Sequence, residues 1–205
     1  LYDKENYLSR IKILEVIYHE IAHQWFGNLV TMEWWAYLWL NESVATFLAW
    51  YATDCLFPEW QIWKRFNDEE HAQALELDSL KNTHPLEMQE LDIADINQIF
   101  DGISYSKGAC LIKCLANYIG IDKFRNGMYN YLTKFQYKNT VSSDFWKSFG
   151  DDINDMMYTW TTLPGYPLIY VEKKYPEKYI SIIQTKYVAS IEIPYDNIIM
   201  IIMII

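Results

Sequence analysis

The chain has 205 residues, of which 51% are hydrophobic, so it can bury a sizeable core and is not a disordered polypeptide. Its formal net charge of -10 excludes a broadly basic surface, and we therefore expect neither nucleic acid nor an anionic membrane as a partner. Cys55, Cys110 and Cys114 form no even disulfide framework and no C-x-x-C pair, which favours free thiols in a reducing compartment. The last two are expected in the core.

The first predicted helix runs from about Tyr7 to Trp25, because apolar residues recur there at intervals of three and four, and Gly27 supplies a stop. We expect this helix to be buried. It contains the sequence HEIAH, in which His19 and His23 lie about one turn apart on the same face. Both imidazoles can therefore reach one metal ion.

A second predicted helix, in AYLWLNESVATFLAWYATDC, carries Glu42. If it lies antiparallel to the first, Glu42 completes the three protein ligands that a catalytic zinc site uses while it leaves the fourth position to water. Glu20 then remains free beside the metal, where it can take a proton from that water. The longer H-E-x-x-H-x-x-G-x-x-H pattern is excluded, because Phe26 and Leu29 stand where it requires Gly and His.

Two plainer interpretations of these residues compete with a catalytic metal site. A histidine on an apolar helix is usually a packing or surface residue, but this spacing with a downstream glutamate is far more specific. Structural zinc sites usually have four ligands and are rich in cysteine. We therefore predict one catalytic Zn²⁺ ion held by His19, His23 and Glu42. The other two histidines, His71 and His84, are predicted on an exposed helix and in an extended loop.

Further helical patterns follow along the chain. One extends from Pro58 to Leu80, and another extends to Gly120 and begins at Ser104, which is predicted to cap it. Three more helices are predicted in DKFRNGMYNYLTKF, SDFWKSF and INDMMYTWTT.

The composition changes at Pro164, after which Ile, Tyr and Val alternate with turn-like Pro and Lys clusters, and this predicts strands. We predict a helical region over residues 1–163 and the start of a β domain over residues 164–205, with an atypical tail after about residue 190. The terminal NIIMIIMII is interpreted as a strand or an aberrant end, since a membrane helix needs roughly 20 apolar residues. No charged leader followed by an apolar segment is visible, so we expect no signal peptide and no membrane segment in this chain. The cysteine pattern favours a cytoplasmic location, and a membrane-anchored ectoenzyme is the alternative if further sequence precedes Leu1.

The H-E-x-x-H motif, eighteen residues and Glu, within HQWFGNLVTMEWW and LWLNE, resembles the gluzincin aminopeptidase family. FDGISYSKGA is similar to the second signature of that family. The stretches FPEW, ALELDSL, THPLE, YLTKFQYKN and GYPLIYVE look most like its cytosolic, puromycin-sensitive branch. The resemblance covers the chain from Leu1 to about Val188.

The resemblance implies a mainly α fold, namely the C-terminal helical part of a thermolysin-like zinc peptidase catalytic domain, followed by strands that begin a small β-sandwich domain. It implies His19, His23 and Glu42 as zinc ligands, with Glu20 as the general base. It also implies that Tyr105 provides a hydroxyl that faces the tetrahedral intermediate. The expected function is a zinc metallo-aminopeptidase that acts on peptides with a free N-terminus.

The sequence also departs from the family pattern. Ser43, Val44 and Ala45 follow Glu42 where the family has Gly-Phe-Ala. A Gly-x-Met-Glu-Asn loop, whose glutamate fixes the α-amine of the substrate in the family, does not occur in this sequence, so the chain resembles a fragment of the catalytic region. Two alternatives stay open: a zinc endopeptidase, and a catalytically incomplete fragment that binds zinc and, if it acts at all, binds peptides or a full-length relative.

Overall fold

The computed structural model describes residues 4–88, 96, 99–174, 179–190 and 199–202, and these are mostly helical. This confirms the predicted class, a mainly α chain followed by strands. The helices and strands in chain order are α1 (Lys4–Ala22), β1 (Val30–Met32), α2 (Leu38–Leu56), α3 (Ile62–Phe66), α4 (Ala72–Asp78), α5 (Gly108–Ile119), α6 (Ile121–Phe135), β2 (Lys138–Thr140), α7 (Ser142–Lys147), α8 (Asp151–Thr162), β3 (Pro167–Lys174), β4 (Tyr179–Lys186) and β5 (Ile199–Ile202).

Helix α2 is the central helix of the fold and lies antiparallel to α1. The start of α1 meets the chain just after α2, where the Tyr7 hydroxyl donates to the carbonyl oxygen of Trp60 at 3.3 Å. The end of α1 meets the first turns of α2, where His19 contacts Glu42. Every residue from 39 to 47 is buried. A helix buries residues on all its faces only when other elements surround it, so α2 is enclosed by the rest of the helical part.

The prediction that α1 is buried was wrong for one of its sides. Ile11 is fully buried in the core, whereas Ile13, Val16 and Ile17 are 57%, 61% and 45% exposed. Ile21, which belongs to the predicted apolar face, is also exposed. Hydrophobic residues occupy both sides of this helix, so their spacing could not show which side packs against α2.

The segment over residues 58–80 is helical, as predicted, but it is interrupted. A short 3₁₀ turn, Pro58–Trp60, is followed by Gln61, whose φ of 49° is left-handed, and a π-helical turn, Asn67–His71, separates α3 from α4. His71, predicted to be exposed, is half-buried. Among the cysteines, Cys110 is buried as expected, whereas Cys114 is exposed.

The predicted cap at Ser104 was wrong, because a second π-helical turn, Ile103–Lys107, precedes α5. Ser104 lies inside this turn and is buried. The carboxylate of Asp101 caps the turn instead, since its Oδ1 accepts hydrogen bonds from the backbone N–H groups of Ile103 at 3.0 Å and Ser104 at 3.1 Å. Its Oδ2 lies 2.8 Å from Nε2 of His84, the histidine predicted in a loop.

Two small sheets complete the described part of the chain. Strands β1 and β2 pair in parallel, and β3 is the middle strand of an antiparallel sheet with the order β4-β3-β5. The strands predicted after Pro164 are thus confirmed as β3 and β4, and part of the apolar tail forms β5. The remaining tail residues, 191–198 and 203–205, lie outside the described residues, and the predicted domain boundary at residue 163 stays a prediction. None of the helices that the structure describes combines the length and apolar character needed to cross a membrane.

A buried ion pair joins the helical part to the strands. Lys107 Nζ lies 2.8 Å from Asp78 Oδ2, and both side chains are 2% exposed. The other carboxylate oxygen of Asp78 accepts the backbone N–H of Gly165 at 2.8 Å. Burial lowers the pKa of Lys107, and the charge of Asp78 opposes that shift. The pair therefore fixes the end of the π turn against α4 and the chain leading into β3.

Replacing Lys107 with methionine should lower the free energy of unfolding by about 3–5 kcal/mol, because it leaves a buried carboxylate without its charged partner. Urea denaturation measures this difference. Glu69→Gln is the control, since Glu69 is the exposed member of the Arg65–Glu69 pair of 2.6 Å and its loss should cost less than about 1 kcal/mol. Equal costs for the two variants would contradict the structural role of the buried pair.

Candidate metal centre

The two histidines of the HEIAH sequence converge at the C-terminal end of α1. The helix ends at Ala22, but the N–H of His23 still donates to the carbonyl oxygen of His19 at 3.1 Å, so the helical turn continues to the second histidine. The two side chains therefore keep the one-turn spacing predicted from the sequence. Their Nε2 atoms are 2.9 Å apart.

The carboxylate of Glu42, near the start of α2, completes a triangle of donor atoms. Its Oε2 lies 3.1 Å from Nε2 of His19 and 3.3 Å from Nε2 of His23. Two ligand atoms bound to zinc at 2.0–2.1 Å with a tetrahedral angle lie about 3.3 Å apart. Within the described ranges these residues are the group of three that could hold a metal ion. The donor types and their spacing thus fit one tetrahedral zinc ion with a fourth corner left for water.

Hydrogen bonds on the far side of each imidazole orient the pair. Nδ1 of His23 lies 2.9 Å from the carbonyl oxygen of Phe26, which can only accept, so Nδ1 carries a proton and Nε2 is the nitrogen that faces His19 and Glu42. Nδ1 of His19 lies 3.4 Å from the hydroxyl of Thr46. The sequence analysis did not identify Thr46. It lies one turn after Glu42 on α2, so its spacing from the ligand was the available signal.

The charges at the site keep the carboxylate ionised. Burial raises the pKa of Glu42, but its hydrogen bonds to His19 and His23 outweigh that effect and lower the pKa to about 2. The hydrogen bond between His23 and Glu42 also raises the pKa of His23. Zinc ligands bind in their deprotonated forms. The glutamate is therefore ionised and ready to bind a cation.

Tyr105 and Glu20 flank this triangle. The ring of Tyr105 stacks on the imidazole of His19, with centroids 6.0 Å apart and planes inclined by 17°. Burial raises the pKa of Tyr105, and so do the charge of Glu42 and a hydrogen bond to it, which keeps the phenol protonated as a donor. Glu20 is exposed, and its charge contributes to the raised pKa of both Tyr105 and His23. The structure therefore brings together all five residues singled out in the sequence.

The π turn that carries Tyr105 is tied to distant elements by contacts that the sequence analysis missed. The hydroxyl of Ser106 donates to Oε2 of Glu70 at 2.6 Å, and the hydroxyl of Ser43 donates to the carbonyl oxygen of Ser104 at 2.7 Å. The partners in these bonds are 36 and 61 residues apart in sequence. π-Helical turns inside helices often occur at functional sites. No local pattern could have identified these pairs, since each depends on how the helices pack.

Comparison with known proteins identifies the family. The profile of the peptidase family M1 domain matches residues 1–160. The chain belongs to peptidase family M1. It is 46% identical to the leucyl aminopeptidase of Saccharolobus solfataricus over 173 residues, which are 82% of this chain and 22% of that protein. It is 42% identical to mitochondrial aminopeptidase 2 of Saccharomyces cerevisiae over 203 residues, which are 96% of this chain and 21% of that protein. It is 41% identical to aminopeptidase M1 of Arabidopsis thaliana over 196 residues, which are 93% of this chain and 22% of that protein.

Membership of family M1 confirms the predicted resemblance to the gluzincin aminopeptidases. The M1 chain spans about a fifth of the length of these curated relatives. The relatives come from an archaeon, a yeast and a plant, so they do not single out the puromycin-sensitive branch. The cytoplasmic location likewise stays a prediction.

Replacing Glu42 with alanine should lower the affinity for zinc by more than about 100-fold, because loss of a direct ligand costs more than the 10- to 100-fold typical of changes around the ligands. Competition with a chromophoric chelator measures this affinity. Glu87→Ala is the control, since it removes a half-buried carboxylate outside the triangle. Wild-type zinc affinity in the Glu42 variant would show that another residue is the third ligand.

Proposed function

We propose that this chain carries the zinc centre of a metallo-aminopeptidase that releases amino-terminal residues from peptides. The observation that carries the proposal is the triangle formed by His19, His23 and Glu42, whose donor atoms lie 2.9–3.3 Å apart. Glu20 and Tyr105 stand beside that triangle with the chemistry that peptide hydrolysis needs. Membership of family M1 supports a peptidase, and the word aminopeptidase in the names of its relatives supports action at the N-terminus of peptides with a free amine.

His19, His23 and Glu42 would together hold one zinc ion, and neighbouring contacts orient them for this. Zinc, when bound, supplies an activated water and polarises the scissile carbonyl as a Lewis acid. The hydrogen bond from Nδ1 of His23 to the carbonyl oxygen of Phe26 turns Nε2 toward the other two ligands. Glu42 stays ionised because both histidines hydrogen-bond to it. These contacts orient the ligands before the ion arrives, so little reorganisation remains when it binds.

Glu20 is the general base in this proposal. It follows His19 directly in α1, it is exposed to solvent, and it lies near enough to Tyr105 and His23 to influence the pKa of both. Its carboxylate accepts a proton from the attacking water and then returns that proton to the leaving amine. A positioned acid or base of this kind typically contributes about 10² to 10⁴ in rate.

Tyr105 stabilises the negative charge that develops on the carbonyl oxygen. Burial raises the pKa of its phenol, and Glu42 raises it further, so the hydroxyl keeps its proton and donates it in a hydrogen bond. Stacking on His19 fixes the direction of the ring. A donor aimed at developing charge acts mainly in the transition state, which raises turnover more than substrate affinity.

The proposed function can be tested with two fluorogenic peptides that differ only in whether the amino terminus is free or acetylated. The zinc-loaded protein should cleave the free-amine peptide alone, and Glu20→Gln should retain zinc while turnover falls by about 10² to 10⁴. Cleavage of both peptides would instead indicate an endopeptidase. Bound zinc without any cleavage would indicate a catalytically incomplete fragment, and undiminished turnover in Glu20→Gln would remove Glu20 from the mechanism.

Replacing Tyr105 with phenylalanine should lower kcat by about 10² to 10³, because one donor to the developing oxyanion is lost, while KM and zinc content change little. Steady-state kinetics and metal analysis measure these quantities. Tyr118→Phe is the control, because this substitution also removes a phenol hydroxyl, but from a residue on α5 that is 70% exposed. If both variants retain wild-type kcat, Tyr105 has no role in the reaction.

A further inference from the structure

A buried hydrogen bond joins the helix that carries Glu42 to the backbone of the turn that carries Tyr105. Ser43, the residue after Glu42, is fully buried, and its hydroxyl donates to the carbonyl oxygen of Ser104 at 2.7 Å. Ser104 precedes Tyr105 and is 2% exposed. This contact thus connects the residue after Glu42 to the residue before Tyr105.

The Ser43 hydroxyl occupies space that is free only because residue 108 is a glycine. An added Cβ on Gly108, the first residue of α5, would overlap that hydroxyl, so the absence of a side chain at Gly108 gives Ser43 its room. The chain also departs from the family here, because the pattern Gly-Phe-Ala that follows the ligand glutamate in the family offers no side-chain donor at this position.

We propose that Ser43 is a positioning residue, which holds the π turn so that the hydroxyl of Tyr105 stays beside the metal-binding side chains. This inference rests on the proposed function. The argument is one of geometry: other tethers attach the turn to Asp101, Glu70 and Asp78, but the Ser43 bond attaches it to α2, the helix that carries Glu42. Tyr105 itself hydrogen-bonds to Glu42, so the Ser43 bond is a second connection between the turn and α2, and it holds the backbone that carries the phenol.

The position of the turn matters because the Tyr105 hydroxyl must point at the carbonyl oxygen on which negative charge develops. Misplacing a reacting group by about 1 Å can cost about 10²-fold in rate. The turn is π-helical, so a carbonyl oxygen within it is a natural point at which an outside donor can fix its position. A buried bond to a neighbouring helix limits the movement of the turn without touching the substrate.

The first experiment is a double-mutant cycle in the zinc-loaded protein, with kcat and KM measured for the free-amine peptide. Ser43→Ala should lower kcat about tenfold with KM unchanged, since it acts through a group used in the transition state. In the Tyr105→Phe background the same substitution should cause no further loss. An equal loss in both backgrounds would overturn the proposal, because Ser43 would then act independently of Tyr105, and so would no loss at all.

Thr53→Val is the matched control. Thr53 is fully buried on the same helix, and its hydroxyl donates to the carbonyl oxygen of Ala49 at 2.8 Å. The substitution removes a buried hydroxyl bonded to a carbonyl, but that bond stays within α2. It should leave kcat unchanged, and a loss as large as that of Ser43→Ala would overturn the proposal.

Amide hydrogen exchange gives a readout that does not need activity. Ser43→Ala should raise the exchange rate of the amides of Tyr105 and Ser106 about tenfold in the folded protein, because local opening becomes easier, whereas Thr53→Val should not. If the unsubstituted zinc-loaded protein has no turnover, the proposed function fails and this comparison still decides the Ser43 contact. Unchanged exchange at both amides would overturn it.

Exchanging the larger and the smaller side chain between positions 43 and 108 separates the effect of the hydrogen bond from the effect of packing. Gly108→Ala alone should displace the Ser43 hydroxyl and lower both Tm and kcat. The double variant Gly108→Ala with Ser43→Gly restores the room but not the donor, so Tm should recover while kcat stays as low as in Ser43→Ala. Recovery of kcat together with Tm would overturn the proposal, since packing alone would then explain the effect.

Discussion

The antiparallel packing of α1 against α2 is the constraint on which the rest of the site depends. It brings a pair of imidazoles from the end of one helix to a carboxylate in the first turns of the other, with donor atoms 2.9–3.3 Å apart. The position of α2 is fixed because residues 39–47 are buried on every face. A change in how α2 packs would therefore alter the metal centre directly, whereas changes on the exposed side of α1 leave the ligands in place.

Glu42 links the metal site to its electrostatic surroundings. Its hydrogen bonds with His19 and His23 lower its own pKa, and its negative charge adds to the effect of burial in raising the pKa of Tyr105. One carboxylate thus prepares a cation site and helps burial to keep a neighbouring phenol protonated. The π turn carrying that phenol is fixed from several directions, by the cap at Asp101 and by contacts to α2, α4 and the preceding π turn. Such preorganisation places the cost of ordering the site in folding rather than in each catalytic cycle.

The errors in the sequence analysis have physical causes. Hydrophobic residues on both sides of α1 hid which side packs, so Ile13 and Ile17 are exposed although the helix was expected to be buried. Ser104 is a good capping residue by type, but the carboxylate of Asp101 reaches the free N–H groups first, and Ser104 is enclosed in the π turn. The three-residue strands β1 and β2 pair across more than a hundred residues and have no local pattern long enough to predict them.

The sequence by itself determined the types of residue and the local geometry of the candidate site. Helical spacing alone places His19 and His23 on one face, and the H-E-x-x-H motif with its downstream glutamate already indicates zinc chemistry. Only the tertiary structure decided which groups surround that set, including Thr46 behind a ligand, the Ser43 bond to Ser104 and the buried Asp78–Lys107 pair. The reason is that local spacing follows from the geometry of one helix, whereas contacts between residues tens of positions apart exist only after several helices have packed together.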